Sequence, residues 1–138
     1  MKRSTNILLT ILIFTELGFS QMILNRDTSL SFKENNLEFG SALSGGINSG
    51  QFSNIDLDLD GIMDLIVFDK SGNKLSPFVN RNGTFIYSPN YREQFPDMHD
   101  WALCIDYNCD GKNDIFTYSS GGMAVYLNIS DTVLKFTE

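Results

Sequence analysis

The stretch Asp56-Leu57-Asp58-Leu59-Asp60-Gly61-Ile62-Met63-Asp64 puts an acid at positions 1, 3, 5 and 9 of a nine-residue window, with glycine at position 6. The chain writes it a second time as Asp106-Tyr107-Asn108-Cys109-Asp110-Gly111-Lys112-Asn113-Asp114, every position offset by 50. The match runs past the window. Ile55 pairs with Ile105, Leu65 with Ile115, Phe68 with Tyr118 and Gly72 with Gly122. After a two-residue deletion, Phe78-Val79-Asn80 aligns with Tyr126-Leu127-Asn128, and Thr84-Phe85-Ile86 with Thr132-Val133-Leu134. An acidic window alone could be chance. One that carries its flanks with it is a repeated structural unit, and a repeat decides the fold class.

The flanks read as strands. Leu65-Ile66-Val67-Phe68 is a short β-branched and aromatic run between turn residues. Ser71-Gly72-Asn73 is a turn and residues 75–79 the returning strand. Asn82-Gly83 marks a tight hairpin, since both central residues of a type I′ turn need positive φ. Residues 84–87 follow as a strand. The second copy repeats the plan with strands at 115–118, 123–127 and 132–136. With the strand entering each window (52–55 and 101–105), each copy is a four-stranded antiparallel meander. Helical spacing is not evident after residue 20. The fold class expected is all-β: two four-stranded blades of an incomplete β-propeller, with a calcium loop in the first hairpin of each. Propeller blades run to roughly 40–50 residues. An ordinary antiparallel sheet or sandwich is the alternative.

The organisation expected is a signal peptide at 1–20, an N-terminal edge strand and loop at 21–50, a first blade at 51–88, a linker at 89–100 and a second blade at 101–138. Leu30 and Phe32, or Leu37 and Phe39, would supply the edge strand. Lys2 and Arg3 precede a short apolar run at residues 7–14, and Gly18 and Ser20 stand at −3 and −1 of a cut before Gln21. That is the three-part layout of a secretory leader. The run is far short of the roughly 20 residues that span a bilayer. The mature chain is therefore expected to be secreted or at the cell surface, with no membrane span. Ten Lys and Arg against 17 Asp and Glu give a net charge of −7. The basic residues are scattered, so an unaided nucleic-acid binder is excluded.

The windows read as calcium loops. Calcium takes six to eight oxygen ligands, and a tight loop can turn alternate side chains toward one centre. The metal ligands expected are Asp56, Asp58, Asp60 and Asp64 with the carbonyl of Ile62, and Asp106, Asn108, Asp110 and Asp114 with the carbonyl of Lys112. Gly61 and Gly111 allow the sharp turn. Two structural Ca²⁺ sites are the cofactors expected. The first loop, with one carboxylate more, carries more mutual repulsion when metal-free. Oxygen-only ligation excludes zinc. An EF-hand would need a Glu at position 12 and helices on both sides; Val67 and Thr117 stand there, in strands.

A D-x-D-x-D-G-x-x-D loop between strands at blade-length spacing resembles the FG-GAP or VCBS repeat family, whose propellers include the integrin α-subunit head. The resemblance covers roughly residues 45–136. Gly45-Gly46-Ile47-Asn48, Phe52, the first loop, Leu65-Ile66-Val67-Phe68-Asp69, Phe95-Pro96, Asp100-Trp101 and Asp106-Tyr107-Asn108-Cys109-Asp110-Gly111 look like secreted bacterial VCBS-repeat proteins. The resemblance implies a non-catalytic, calcium-stabilised propeller segment that binds or adheres to a glycan or protein. The alternative is a propeller module of a carbohydrate-active enzyme such as a polysaccharide lyase, for which Lys112 and His99 are the only nearby bases. Two copies fall short of the three or more that repeat folds generally need, so further blades or self-association are expected.

Cys104 and Cys109 are read as unbridged, one buried in its strand and one free in its loop, with a disulfide as the alternative. His99, the only histidine, is read as a loop residue. Trp101, Tyr107 and Tyr118 are read as core between blades, since large aromatics dominate such packing. Asn82-Gly83-Thr84 and Asn128-Ile129-Ser130 match the N-glycosylation pattern.

Overall fold

The computed structural model describes residues 30–39 and 41–138; the expected leader and its cleavage point lie outside them. Strands β1 (Lys33–Glu34) and β2 (Leu37–Glu38) form a small exposed hairpin about Asn35 and Asn36, both at positive φ. The edge strand expected near Leu37 thus forms, but it pairs with β1 and joins neither larger sheet. Both strands are only two residues long and exposed, and Leu37 with the flanking Phe32 and Phe39 is left uncovered by either larger sheet.

Strands β3 (Gly50–Ile55), β4 (Asp64–Asp69), β5 (Lys74–Arg81) and β6 (Thr84–Tyr87) form an antiparallel sheet in sequential order. Strands β7 (Ala102–Ile105), β8 (Asp114–Ser119), β9 (Gly122–Asn128) and β10 (Phe136–Thr137) form a second sheet of the same order. The described residues are all-β except for a short 3₁₀ helix at Pro89–Gln94, within the linker, opened by its own proline. Asn82 and Gly83 both have positive φ (55° and 86°), as the tight β5–β6 hairpin demands. Pro77 sits inside β5 opposite Ile66. Its carbonyl accepts from Ser88 N–H, so its nitrogen faces the point where β6 has just ended and no ladder bond is lost.

The alignment of the two copies shifts in two places. The β4–β5 turn holds residues 70–73 between paired Asp69 and Lys74; the β8–β9 turn holds only 120–121 between paired Ser119 and Gly122. The deletion therefore lies in this hairpin, and Gly122 is the counterpart of Lys74 rather than of Gly72. The fourth strand of the second copy was expected at 132–136 and is found at Phe136–Thr137. Phe85 pairs with Asn80, but Phe136 pairs with Asn128, so three extra residues enter the second hairpin. They are held by Ser130, whose hydroxyl donates to Asn128 Oδ1 and accepts from Lys135 N–H, and by Ile129 N–H donating to Lys135 O. Leu134, from this loop, is buried in the core.

Residues paired across a ladder share a face. One face of the first sheet carries the rows Ser53–Ile66–Pro77 and Gln51–Phe68–Leu75, with Ile55 and Asp64. It packs on the face of the second sheet that carries Ala102–Thr117–Ala124 and Cys104–Ile115–Tyr126. These faces are not equivalent. The counterpart of Ser53–Ile66–Pro77 is Leu103–Phe116–Val125, on the far side of the second sheet. The sheets thus stack front to back, in the same sense. Edge strands β3 and β7 meet at the seam, where Ser53 Oγ accepts from Cys104 N–H (3.1 Å) and Gln51 Oε1 from Ala102 N–H (3.0 Å).

The two cysteines are free, Cys104 buried and Cys109 exposed, and burial pushes the Cys104 thiol up to about 12. The thiolate is the nucleophile, so iodoacetamide at neutral pH should label Cys109 alone in the native protein and Cys104 only in denaturant. Equal labelling of both under native conditions, read by peptide mass, would contradict this packing.

Candidate metal centre

Each nine-residue window joins the first two strands of its sheet: the first links β3 to β4, the second β7 to β8. The two loops close with the same bonds. At position 1, Asp56 accepts from Asp60 N–H (3.2 Å) and Gly61 N–H (2.9 Å), and Asp106 accepts from Asp110 N–H (3.2 Å) and Gly111 N–H (2.9 Å). At position 5, Asp60 accepts from Ile62 N–H (2.8 Å) and Asp110 from Lys112 N–H (2.9 Å). Position 6 is left-handed in both, with Gly61 at φ 84° and Gly111 at φ 87°. Position 4 is left-handed too, at Leu59 (φ 60°) and Cys109 (φ 61°). A non-glycine residue there costs about 1–2 kcal/mol. No residue preference announces that position, and the sequence reading missed it.

Position 9 does a different job from the other acids. Asp64 and Asp114 are almost fully buried, at 1% and 0% exposure. Asp64 accepts from Leu57 N–H and from Asn80 N–H, each at 2.7 Å. Asp114 accepts from Tyr107 N–H (2.9 Å) and Asn128 N–H (2.7 Å). Each carboxylate therefore pins its loop to the end of the third strand of its sheet. Asn80 and Asn128 complete the clamp: their side-chain amides donate to Met63 O and Asn113 O. The repeat alignment paired these two asparagines without giving them a role.

Asp56, Asp58 and Asp64 bring one carboxylate oxygen each to within 4.8 Å of one another. Among the described residues no other trio of acids or His/Cys ligands does so. Asp60, expected as the fourth side-chain ligand, lies outside this trio and is engaged by Ile62 N–H and Arg81. In the second loop the acids do not close into such a trio; Asn108 fills position 3, and its amide donates to Asp110 Oδ2 at 3.0 Å. Arg81, which sequence reading did not single out, lies over the first loop. Its guanidinium is 2.6 Å from Asp58 Oδ2 and 3.5 Å from Asp60 Oδ2. The greater repulsion expected of the first loop is therefore offset by a cation supplied from the end of β5.

Two features fit a metal ion. Asp58 Oδ1 is buried and has no hydrogen-bond partner, although the other oxygen of the same carboxylate is paired; a buried unpaired carboxylate oxygen is costly unless something supplies positive charge. The donor set is all oxygen, which suits a hard cation. Asp58 also lines a cavity of about 210 Å³ together with Gln94, whose Oε1 is likewise unpaired, and with Leu57, Tyr91 and Leu134. Burial, against the pull of the Asn80 and Leu57 N–H groups, raises Asp64 above its ordinary 3.8, with Asp58 and Asp56 adding to the rise. The Lys112 N–H and then the Asn108 amide lower Asp110.

The remaining candidates are placed as follows. Lys112 Nζ donates to Ser130 O. His99 lies against Asn73, in the β4–β5 turn, at the end of the sheet opposite the Asp loops. Tyr107 and Tyr118, expected in the core, are exposed on the face of the second sheet that no other sheet covers among the described residues, where Tyr107 packs edge-on against Phe116 at 5.7 Å. Trp101 is half-buried at the start of β7. Comparison with family models, with curated proteins and with solved structures finds no match for this chain.

Asp64→Ala strands the buried Leu57 N–H and the partly buried Asn80 N–H at about 1–3 kcal/mol each. In chelator, urea unfolding should show a loss of roughly 2–6 kcal/mol, against under about 1 kcal/mol for the exposed Asp60→Ala, whose partner pair is half in solvent. Carboxyl NMR in chelator should place Asp64 above 3.8, and Asp110 below it. The signs oppose. Asp64 favours folding at acidic pH, a contribution lost as pH rises through its raised folded value. Asp110 contributes above 3.8 and loses that as pH falls through its lowered one.

Proposed function

We propose that residues 51–138 are two consecutive blades of a calcium-stabilised β-propeller in an exported protein, and that the assembly binds or adheres to a glycan or protein rather than catalysing a reaction. The observation that carries this reading is the stacking of two four-stranded meanders in the same sense, each bearing the same nine-residue Asp loop between its first two strands. A two-fold sandwich would bury equivalent faces. Here a front face meets a back face, the relation between successive blades.

Calcium serves as a clamp on the first hairpin of each blade. The orphaned Asp58 Oδ1 supports it in the first loop. In the second loop the support is the identical set of backbone bonds to Asp106, Asp110 and Asp114. The non-catalytic reading rests on the two bases: the Lys112 ammonium is taken up by the Ser130 carbonyl, and His99 lies at the far end of the sheet. Further blades or a second copy would cover Leu103, Ile105, Tyr118 and Met123, which lie about half exposed on the outer face of the second sheet. Export rests on the leader layout of residues 1–20 and predicts a mature chain that starts at Gln21.

Calcium titration by calorimetry should show two sites in the wild type and one in Asp110→Ala. At ten times the dissociation constant each ion should add roughly 1.4 kcal/mol to stability, so EDTA should lower the melting temperature. A glycan array probed with and without EDTA then tests the binding role. Absence of both calcium heat and an EDTA effect would reduce the loops to acidic turns and overturn the reading.

A further inference from the structure

The two loops share the backbone bonds described above and differ in side-chain chemistry at position 3, at the residue after the clamp asparagine, and at position 7, where Ile62 corresponds to Lys112. In the first copy, position 3 is Asp58 and the residue following the clamp Asn80 is Arg81. In the second, position 3 is Asn108 and the residue following Asn128 is Ile129. The two changes are linked by contact, since Arg81 Nη2 lies 2.6 Å from Asp58 Oδ2. Each loop also carries one cation, Arg81 over the first and, within the second, Lys112, which stands where the first has Ile62: four carboxylates and a guanidinium make −3, and three carboxylates, an amide and an ammonium make −2. The position-5 acid receives a side-chain donor on Oδ2 in both copies, from Arg81 in the first (3.5 Å) and from Asn108 in the second (3.0 Å).

From this we infer that Arg81 is a resident cation of the first loop. It neutralises the loop when metal is absent and competes with calcium for the Asp58 and Asp60 carboxylates when metal arrives. The inference rests on the calcium reading above. Arg81 is suited to the part. It is fixed at the end of β5, one residue from the Asn80 N–H that holds Asp64, and its side chain is half exposed and so free to swing outward. Asp58 offers it one oxygen and keeps the other, Oδ1, unpaired. The first loop therefore stays organised without metal, and its extra carboxylate does not make it the tighter site. The second loop has Ile129 in place of the arginine, and its own cation, Lys112, donates to Ser130 O rather than to a loop carboxylate.

The test isolates the first loop by silencing the second with Asp110→Ala, then titrates calcium by calorimetry. Removing a half-exposed guanidinium relieves both an ion pair and its repulsion of the incoming ion, so Arg81→Ile should tighten the first loop roughly five- to tenfold. Asp58→Asn alone should weaken it. Asp58→Asn with Arg81→Ile and Ile62→Lys copies the charged chemistry of the second loop, and its affinity should come within about twofold of that loop measured in Asp60→Ala. A metal-free readout accompanies it: in EDTA, Arg81→Ile should lower the urea midpoint, and adding Asp58→Asn should restore most of the loss. Calcium binding that Arg81→Ile leaves unchanged or weakens overturns the inference and leaves the calcium reading standing. Absence of calcium heat in every one of these proteins overturns the calcium reading and the inference with it.

Discussion

The structure depends on a buried carboxylate used twice. Asp64 and Asp114 are ionisable groups almost without exposure, and each survives burial by accepting two backbone N–H groups, one from its own loop and one from the end of the third strand. Charge-assisted bonds of this kind are stronger than neutral ones and offset part of the desolvation cost. In the first copy the remainder shows as the raised pKa of Asp64. The gain is geometric. A loop that would otherwise be tethered at two strand ends is tied at a third point, which restricts where its other acids can lie.

The repeat, the strand count and the meander order were legible in the sequence because strand signals are local. Alternation, β-branched runs and Asn82-Gly83 each speak about a few adjacent residues. The acids at positions 1, 5 and 9 were legible for the same reason. What stayed hidden depends on contacts between segments distant in sequence. Arg81 reads as the polar end of a strand until folding lays it over Asp58, 23 positions earlier. Asn80 and Asn128 read as matched residues; only the fold shows them closing the clamp on Met63 and Asn113. The fourth strand of the second copy was misplaced because its hairpin lacks a tight-turn signal, and the Asn128–Ser130 bonds that set its length are formed only on folding.

The sense of stacking has a consequence for the surface. When equivalent faces meet, a pair of sheets buries both and the structure terminates itself. When a front meets a back, one front is always left over. Here that front carries Leu103, Phe116 and Val125 in one row and Tyr118 and Met123 in the next, the counterparts of Ser53–Ile66–Pro77 and Phe68–Leu75 in the buried seam. The sequence reading assigned Tyr107 and Tyr118 to a core on grounds of size. They occupy the positions that are core in the first copy and open in the second.

Position 2 of the loop joins the clamp to this stacking. Leu57 is at 1% exposure and belongs to the core between the sheets, while its N–H is one of the two that hold Asp64. Its counterpart Tyr107 gives its N–H to Asp114 in the same way, but its side chain stands on the open front face at 65% exposure, resting on Phe116. One residue thus carries both the loop bond and the seam contact, and its immediate neighbours, Asp56 and Asp58, are two of the three acids that close on one another. The first loop and the seam thus share one residue, by its backbone N–H and its buried side chain. In the second loop the same backbone bond is made, and the Tyr107 side chain has no sheet against it among the described residues.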